Sequence, residues 1–253
     1  MRVATFNLLH GMTVADGVVD ADRLRESVRL LDADLLGLQE VDRDQPRSQG
    51  LDQTALAAEV MGAAAFRFVP AIDGTPGERW TPAPDEVAAG RPAYGIALLS
   101  RYPVTEWRVV RLPALRVRSP IRTHDRRLVL VKDEPRVAVA AVVDGPAGPM
   151  TAVTTHLSFV PGWNNVQLRR LVAALRDLPQ PQLLTGDLNI PGPLPRVLAG
   201  WQPLVVADTF PLGEPKVQLD HILGLGDLPA PTDAGAPRLP LSDHRAAYVD
   251  LDL

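Results

Sequence analysis

The sequence contains no cysteine, and this absence excludes both disulfide bonds and thiolate metal sites while leaving the compartment open. Its five histidines do not have zinc-site spacing either, because an HExxH motif and a close His-x-His pair are both missing. A metal site in this chain would therefore be built from oxygen ligands. Hard oxygen ligands favour Mg²⁺ or Mn²⁺.

Long hydrophobic runs are also missing from the sequence. No apolar stretch approaches the ~20 residues that a membrane-spanning helix needs. The first predicted strand begins at Val3, which leaves no room for a signal peptide or transit segment. From the sequence we therefore expect a soluble, cytoplasmic protein, and we expect it to be a monomer.

Positive charge is scarcer than negative charge, with 26 Lys and Arg against 30 Asp and Glu. This balance argues mildly against a protein that mainly grips long DNA, because phosphate contacts need Lys and Arg. Basic residues do cluster in the segment 111–136, which is interpreted first as a solvated loop and alternatively as the rim of an anionic-substrate site. They are Arg111, Arg116, Arg118, Arg122, Arg126, Arg127, Lys132 and Arg136.

The length of 253 residues and the hydrophobic content of 46% predict one domain, residues 1–253, with a sizeable core. Hydrophobic spacing predicts helices over 20–31, 53–61 and 164–178 and a short helix within 191–200. Strands are predicted over 3–9, 34–39, 66–70, 94–100, 104–112, 136–144, 150–156, 182–185, 219–223 and 246–253. Segments rich in proline and glycine, 72–92 and 224–240, are predicted as long loops. Strands interleaved with a few helices indicate an α/β layered fold.

Two polar motifs stand at the edges of apolar runs. Gly-Asp-Leu-Asn, with Asp187 and Asn189, follows one run, and Ser-Asp-His, with Asp243 and His244, precedes another. A carboxylate can activate water, an amide can hold it, and an imidazole can stabilise phosphoryl oxygens. In an extended segment, Asp187 and Asn189 project to the same face and can share one substrate. Each motif alone is weak, because Gly-Asp is a common turn and Ser-Asp a common helix cap.

Further polar residues lie in or just after short hydrophobic runs: Asn7, Glu40, His156 and Asp220. In layered sheets, functional groups gather where strands emerge from the core. Each residue alone has an ordinary structural interpretation, as a turn former, surface carboxylate, hydrogen-bonded histidine or cap. Their occurrence together and in order favours a catalytic site.

An ordinary structural role is preferred for several other polar and aromatic residues. Three histidines are left outside the site: His10, His124 and His221. Asp42 and Asp44 are interpreted as part of a solvated loop. Stacking on a base or sugar is considered for three tryptophans, but packing under loops is preferred: Trp80, Trp163 and Trp201.

The ordered motifs resemble one known family. They read Thr-Phe-Asn-Leu-Leu, Leu-Gln-Glu-Val, Tyr-Gly-x-Ala-x-Leu-Ser-Arg, Glu-Pro-Arg, Thr-His-Leu, Gly-Asp-Leu-Asn, Asp-His-Ile and Ser-Asp-His, and they extend from Val3 to about Val249. The set resembles the endonuclease/exonuclease/phosphatase superfamily, which has the DNase I-like fold. The resemblance implies a four-layer α/β/β/α sandwich with two central, mostly antiparallel sheets. It also implies metal-dependent hydrolysis of a phosphoester.

The resemblance also implies a metal site for Mg²⁺ or Mn²⁺. Glu40 matches the principal metal ligand of the family. Asn7 matches an amide beside the metal and the phosphate, and Asp243 matches a residue near the metal.

Catalytic roles follow from the same resemblance. Asp187 matches the acid that orients or deprotonates the attacking water, with Asn189 in support. His244 matches the histidine that contacts the scissile phosphate, and Asp220 matches the carboxylate that orients this histidine. His156 matches a second histidine that faces the phosphate.

Substrate contacts are expected from Arg136 in Glu-Pro-Arg, from Tyr94 and from Asp208, whose role is less defined. The chain departs from the family at two positions. Ile96 replaces an Asn that many members carry, which argues against a polar role there. Leu9 stands where abasic-site nucleases carry an acid.

The sequence therefore predicts a divalent-metal-dependent phosphoesterase that hydrolyses a phosphodiester or phosphomonoester by in-line attack of an activated water. Its substrate is a phosphate ester, either small, lipid-like or nucleic acid. An endonuclease or exonuclease acting on DNA or RNA is the alternative. A non-catalytic binding module on the same fold is a third and less favoured hypothesis, because a fold does not fix a function.

Overall fold

Fifteen strands and four α-helices make up the part of the chain that the computed structural model describes, residues 1–85, 87–122 and 128–253. The helices are α1 (Ala21–Leu31), α2 (Gln53–Met61), α3 (Trp163–Ala174) and α4 (Leu194–Ala199). The strands are β1 (Arg2–Asn7), β2 (Leu35–Arg43), β3 (Ala65–Gly74), β4 (Trp80–Pro82), β5 (Ala93–Ser100), β6 (Val104–Leu112), β7 (Ser119–Arg122), β8 (Leu128–Val131), β9 (Arg136–Gly145), β10 (Gly148–His156), β11 (Gln182–Asp187), β12 (Gln202–Pro203), β13 (Asp220–Leu225), β14 (Asp233–Gly235) and β15 (Ala247–Asp250).

Short polar side chains fix where the first two helices begin. The Asp20 carboxylate accepts hydrogen bonds from the first backbone N–H groups of α1, and Asp52 does the same for α2. Helix α2 ends at Gly62, whose φ of 66° lies in the left-handed region that glycine tolerates. Among the described residues, no helix is long and apolar enough to cross a membrane.

The strands form two large sheets that are built alike. The seven-stranded sheet has the order β14-β15-β1-β2-β5-β3-β4, and the six-stranded sheet has the order β12-β13-β11-β10-β9-β6. Within each, the described strands include one parallel pair, β1 with β2 and β10 with β11, and their other pairings are antiparallel. A parallel pair brings the carboxyl ends of two strands to the same end of the sheet.

Three apolar cores separate four layers. The central core lies between the two sheets, with Leu35 and Ile96 from one and Val139 and Ile222 from the other. A second core packs α1 and α2 on the outer face of the seven-stranded sheet, and a third packs α3 and α4 on the outer face of the six-stranded sheet. The four-layer α/β/β/α sandwich with mostly antiparallel sheets, expected from the resemblance, is therefore confirmed.

Two segments predicted as loops contain strands. Strand β3 continues to Gly74 and pairs with β4, so the first part of segment 72–92 is a hairpin rather than a loop. Strand β4 has only three residues, which is too short for an alternating pattern to be recognised in the sequence. The same holds for β14 within segment 224–240. Between 111 and 136, the chain forms the hairpin of β7 and β8; His124, Arg126 and Arg127 lie outside the described residues.

Candidate active site

The seven-stranded sheet contributes an amide and a carboxylate at the carboxyl end of its parallel pair. Asn7 is the last residue of β1 and is fully buried. Its Nδ2 donates to Oε1 of Glu40 at 3.1 Å and to Oδ2 of Asp187 at 3.1 Å. Its Oδ1 accepts from the backbone N–H of Leu9 at 3.0 Å, which fixes the amide orientation. Asn7 thus joins the two sheets at the site.

Glu40 sits at an irregularity in β2. Its φ is 55°, a left-handed value that is uncommon for a residue with a Cβ, and the pairing of β2 with β5 shifts between Leu38 and Val41. A bulge re-aims the side chain of the extra residue. Such strain costs on the order of 1–3 kcal/mol and is typical of functional positions. Burial, followed by the charge of Asp243, raises the pKa of the Glu40 carboxyl, while the Asn7 hydrogen bond lowers it.

The six-stranded sheet contributes a row of three neighbouring side chains. His156 ends β10, Asp187 ends β11 and Asp220 begins β13. The strand register pairs His156 with Asp187, and Asp187 with Asp220. All three are nearly inaccessible to solvent. Directly paired residues on neighbouring strands project to the same face, so the register alone assembles this row.

Asp220 and His244 form a hydrogen-bonded acid–histidine pair. Oδ2 of Asp220 lies 2.8 Å from Nδ1 of His244. Burial opposes a charged imidazole, but the charge and hydrogen bond of Asp220 and the charge of Asp187 outweigh it and raise the pKa of His244 to about 10. His244 is therefore an imidazolium at neutral pH. Its second nitrogen, Nε2, lies 3.9 Å from Oδ2 of Asp187.

Asp187 is a buried carboxyl whose pKa is raised. Burial is the largest cause; the positive charge of His244 opposes it, and the charge of Asp220 adds to it. Oδ1 accepts from the backbone N–H of Asn189 at 2.9 Å, and Oδ2 accepts from Asn7. Asn189 itself has a φ of 50°, in the left-handed region. A carboxyl with a raised pKa is suited to take up a proton.

The pKa of His156 is shifted in the opposite direction from that of His244. Burial, followed by the positive charge of Arg136, holds its pKa well below the usual range. Nη1 of Arg136 donates to Nδ1 at 3.2 Å, so the ring proton resides on Nε2, which lies 3.5 Å from Oδ2 of Asp187. The amide nitrogen of Asn189, 3.2 Å from Nε2, donates to the Leu157 carbonyl. His156 is thus a neutral N–H donor.

Arg136 and Tyr94 line the same small cavity, of about 250 Å³, with Glu40, Asp187 and His244. Arg136 is only 5% exposed, its guanidinium stacks over the Phe159 ring, and its Nη2 lies 3.5 Å from Oε2 of Glu134. Burial, followed by the charge of Glu40, raises the pKa of Tyr94 well above its usual value.

Four predicted site residues do not line this cavity: Asn7 and Asp220 bond to residues that do, Asp243 adjoins His244, and Asp208 lies elsewhere. It is exposed and lines another cavity with Gln218 and His221. Its two successors reach the site instead. The Thr209 hydroxyl accepts a hydrogen bond from the backbone N–H of Asp220, and the Phe210 ring lies 4.9 Å from the His244 ring. Asp243 is half-buried, next to His244, and its charge acts on Glu40.

Sequence reasoning missed a polar layer beneath the site. The Thr5 hydroxyl donates to Oε1 of Gln39 at 3.1 Å, and Nε2 of Gln39 donates to Oγ1 of Thr154 at 2.9 Å, across the two sheets. A Cβ at Gly37 would overlap the hydroxyls of Thr154 and Thr185. The signal was present in the sequence, because a threonine stands two residues before each of Asn7, His156 and Asp187 and therefore shares their face.

Two groups of side chains fit a divalent cation. Ligand atoms of Asp187, Asp220 and His244 lie within 4.8 Å of one another, so this buried group could hold a metal. However, one of those atom pairs is already a 2.8 Å hydrogen bond. Glu40 is a half-buried carboxylate with a second acid, Asp243, beside it, and its only hydrogen-bond partner among the described residues is an amide. Such a group fits a hard cation better.

The fold and the buried acid–histidine cluster define a structural class: α/β/β/α sandwiches with a polar site at the strand ends of two central sheets. The model of the Endonuclease/Exonuclease/phosphatase family matches residues 4–244, nearly the whole chain. The chain belongs to this family, which is generally hydrolytic and generally dependent on divalent metals. A search of curated proteins found no match.

Solved structures of the same fold come from several bacteria. An endonuclease/exonuclease/phosphatase from Beutenbergia cavernae is 24% identical, with a TM-score of 0.72 over 100% of this chain and 71% of the other. A mannosyl-6-phosphatase from Bacteroides thetaiotaomicron is 15% identical, with a TM-score of 0.63 over 100% of both chains. Sphingomyelinase C from Streptomyces griseocarneus is 16% identical, with a TM-score of 0.62 over 100% of this chain and 99% of the other. At these identities the likeness establishes the fold.

Proposed function

We propose that this protein is a divalent-metal-dependent phosphoesterase that hydrolyses a phosphodiester or phosphomonoester by in-line attack of an activated water. One observation carries the proposal: a buried carboxyl with a raised pKa, Asp187, lines one cavity together with a protonated histidine, His244, and a strained carboxylate, Glu40. The cavity thus combines a base, a cationic donor and an oxygen ligand, which hydrolysis of a phosphoester requires.

Asp187 is the base in this mechanism. Its carboxylate accepts a proton from the attacking water, and its raised pKa brings proton uptake closer to neutral pH. Asn7 donates to Oδ2 and the Asn189 backbone donates to Oδ1, so both oxygens are held in place before the reaction. The Asn189 side chain lines the same cavity and would support the water there.

Three donors face the phosphate. His244 donates from Nε2 as an imidazolium, and Asp220 fixes its ring and maintains its charge through Nδ1. His156 donates from Nε2 as a neutral ring. Arg136 adds a second positive charge. Donors fixed in advance around developing negative charge stabilise the transition state without reorganising during the reaction.

Glu40, with Asn7 and Asp243, would hold Mg²⁺ or Mn²⁺. When bound there, the metal polarises a phosphoryl oxygen and stabilises the charge on the leaving oxygen.

The test is a substrate panel with Mg²⁺, Mn²⁺ or EDTA, in which wild type is compared with Asp187→Ala. The panel contains bis-p-nitrophenyl phosphate, sugar and inositol phosphates, sphingomyelin, RNA and plasmid DNA. Metal-dependent turnover that the substitution abolishes is the expected result. Turnover of no substrate together with no metal binding would contradict the proposal and support a non-catalytic module.

A nuclease is the alternative outcome of this panel. It would cleave plasmid DNA or RNA, and its binding would weaken steeply with salt, because each phosphate contact releases counterions. The cytoplasmic location and monomeric state expected from the sequence stay predictions, which cell fractionation and light scattering would check.

A further inference from the structure

A large cavity adjoins the active site. It has a volume of about 1080 Å³ and shares Arg136 with the active-site cavity. A third cavity, of about 550 Å³, adjoins both and is called the connecting cavity. It shares Trp80 and Lys132 with the large cavity, and Glu134 and Phe159 with the active site. The three cavities are therefore neighbours, and we call them together the groove, which begins at the active-site residues.

The sizes of the cavities indicate where the phosphate and the larger group of a substrate would lie. Sites for small organic ligands commonly measure about 300–1,000 Å³. The active-site cavity, at about 250 Å³, has room for the phosphate and the atoms next to it. Any larger group esterified to that phosphate has to extend beyond this cavity, and the neighbouring large cavity offers most room.

The wall of the large cavity is mainly apolar. Alanine, leucine, valine and proline side chains form most of it, including Ala83, Leu115 and Val137. Two charged groups in this wall are already engaged. The Arg111 guanidinium donates to backbone carbonyls, and the buried Asp133 carboxylate accepts from the Leu115 N–H and the Ser158 hydroxyl, each at 2.7 Å. An apolar ligand group would displace water from this wall without breaking those bonds.

Two basic side chains, Lys132 and Arg136, stand at the end of the groove that faces the active site, together with the acidic Glu134. The Lys132 ammonium lies 4.7 Å from the centroid of the Trp80 ring, at the junction of the large and connecting cavities. Arg136 stands where the large cavity meets the active site. This polarity matches a ligand with an anionic head at the catalytic residues and an apolar body in the large cavity.

We propose that the large cavity binds the apolar group of an amphiphilic substrate, namely a phosphoester whose alcohol carries a long alkyl or bulky aryl group. This proposal rests on the proposed function for the place of the phosphate. It assigns the substrate class and makes Ala83, Leu115 and Lys132 determinants of specificity. A sugar–phosphate chain would instead need polar partners along the cavity wall, but this wall is mainly apolar.

The first experiment measures binding without turnover. Calorimetry compares decylphosphonate, below its micelle concentration, with methylphosphonate, since neither contains an ester bond that can be hydrolysed. Each methylene buried in the cavity tightens binding by up to about fourfold, so we expect the decyl compound to bind at least tenfold more tightly. Ala83→Phe, which narrows the cavity, should remove most of this difference. Ala55→Phe, on the exposed face of α2, is the matched control and should keep it.

The second experiment measures turnover of methyl and decyl p-nitrophenyl phosphate by the same variants. We expect kcat/KM to be higher for the decyl ester in wild type and in Ala55→Phe. Ala83→Phe should lose this preference yet turn over the methyl ester at the wild-type rate, which shows that it is folded. Equal affinities for the two phosphonates in wild type, or an unchanged preference in Ala83→Phe, would overturn the proposal.

The two experiments separate the two proposals. Selective binding of decylphosphonate that Ala83→Phe abolishes, without hydrolysis of any ester, would leave the apolar site standing and reject the phosphoesterase. Hydrolysis that prefers dinucleotides to alkyl esters would leave the phosphoesterase standing and reject the apolar site.

Discussion

The two sheets contribute different chemistry to one cavity. The seven-stranded sheet supplies Asn7 and Glu40, which we propose as ligands of the cation, whereas the six-stranded sheet supplies His156, Asp187 and Asp220, which we propose hold and transfer protons. In each sheet the key groups stand at the carboxyl end of its parallel pair. The similar construction of the sheets therefore sets the place of the site, and the residues at the strand ends set its chemistry.

The division between the sheets is crossed at two points. Asn7 of the seven-stranded sheet bonds to Asp187 of the six-stranded sheet. His244 precedes β15 of the seven-stranded sheet but pairs with Asp220 of the other. Neither sheet alone holds a complete set of groups, so we expect the site to depend on how the sheets pack.

The largest expected effect is the loss of kcat when the proposed base, Asp187, or the cationic donor, His244, is replaced. Asp187→Asn and His244→Gln remove a base and a cationic donor with little change in shape, and each should lower kcat on the order of 10²–10⁴-fold. Circular dichroism would check that both variants fold. Asp208→Asn is the matched control, because Asp208 lies outside the cavity. A large loss in Asp208→Asn, or none in Asp187→Asn, would reject this assignment of residues.

The second prediction uses metal affinity to distinguish the proposed metal ligand Glu40 from Asp220, which pairs with His244. Glu40→Gln should weaken Mn²⁺ binding at least about tenfold, because a ligand charge is lost. Asp220→Asn should keep wild-type Mn²⁺ affinity while kcat falls, because its partner is His244. Calorimetry with Mn²⁺ measures the first effect and turnover the second. The reverse result would move the metal to the group of Asp187, Asp220 and His244.

The third prediction concerns the polar layer that joins the sheets. Thr154→Val is nearly isosteric, but it leaves the buried Nε2 of Gln39 without its acceptor. We expect the free energy of unfolding to fall by about 1–3 kcal/mol, measured by urea denaturation. Thr105→Val is the control: its hydroxyl also makes one hydrogen bond, here as the donor, but the residue is exposed, so its change should be smaller. Equal changes would show that the layer does not couple the sheets.

The smallest expected effects are on the pH dependence of stability, to which His10 and His244 contribute with opposite signs. Burial, followed by the charge of Arg47, lowers the pKa of His10 to about 4. Its stabilising contribution is complete above the ordinary value of 6.5 and is lost as the pH falls through 4. The pKa of His244 is raised to about 10, so its contribution is complete below 6.5 and is lost as the pH rises through 10.

Variants at these two positions test the signs. His10→Gln should flatten the loss of stability on the acid side, and His244→Gln should flatten it on the alkaline side. Urea denaturation in EDTA, from about pH 5 to about pH 9, measures both. If His10→Gln changed the alkaline side instead, the burial assigned to the neutral His10 ring would be wrong.

Much of this architecture could be predicted from the sequence. Regular apolar runs locate the central strands, and caps such as Asp20 and Gly62 locate helix ends. The strand-end motifs identified the residues that meet in the cavity. Strands β4 and β14 escaped prediction because each has three residues, fewer than a periodic pattern needs.

Long-range contacts could not be predicted in the same way. In Ala-Asp-Thr-Phe-Pro the acid attracts attention, but Thr209 and Phe210 are the residues that reach the site, because the direction of an irregular loop depends on its tertiary contacts. The Gln39 bridge is hidden for a similar reason, since its partner Thr154 is far away in the sequence. The large cavity also arises from segments remote in sequence, 71–85, 111–116 and 132–137.

The most direct test of the account is hydrolysis of bis-p-nitrophenyl phosphate in isotopically labelled water, with Mn²⁺ or with EDTA. We predict turnover with Mn²⁺, none with EDTA, and the labelled oxygen in the phosphate product, as attack of water on phosphorus requires. Turnover that persists in EDTA, or labelled oxygen in the nitrophenol, would contradict the central claim that both sheets assemble one metal-dependent site for attack of water on phosphorus.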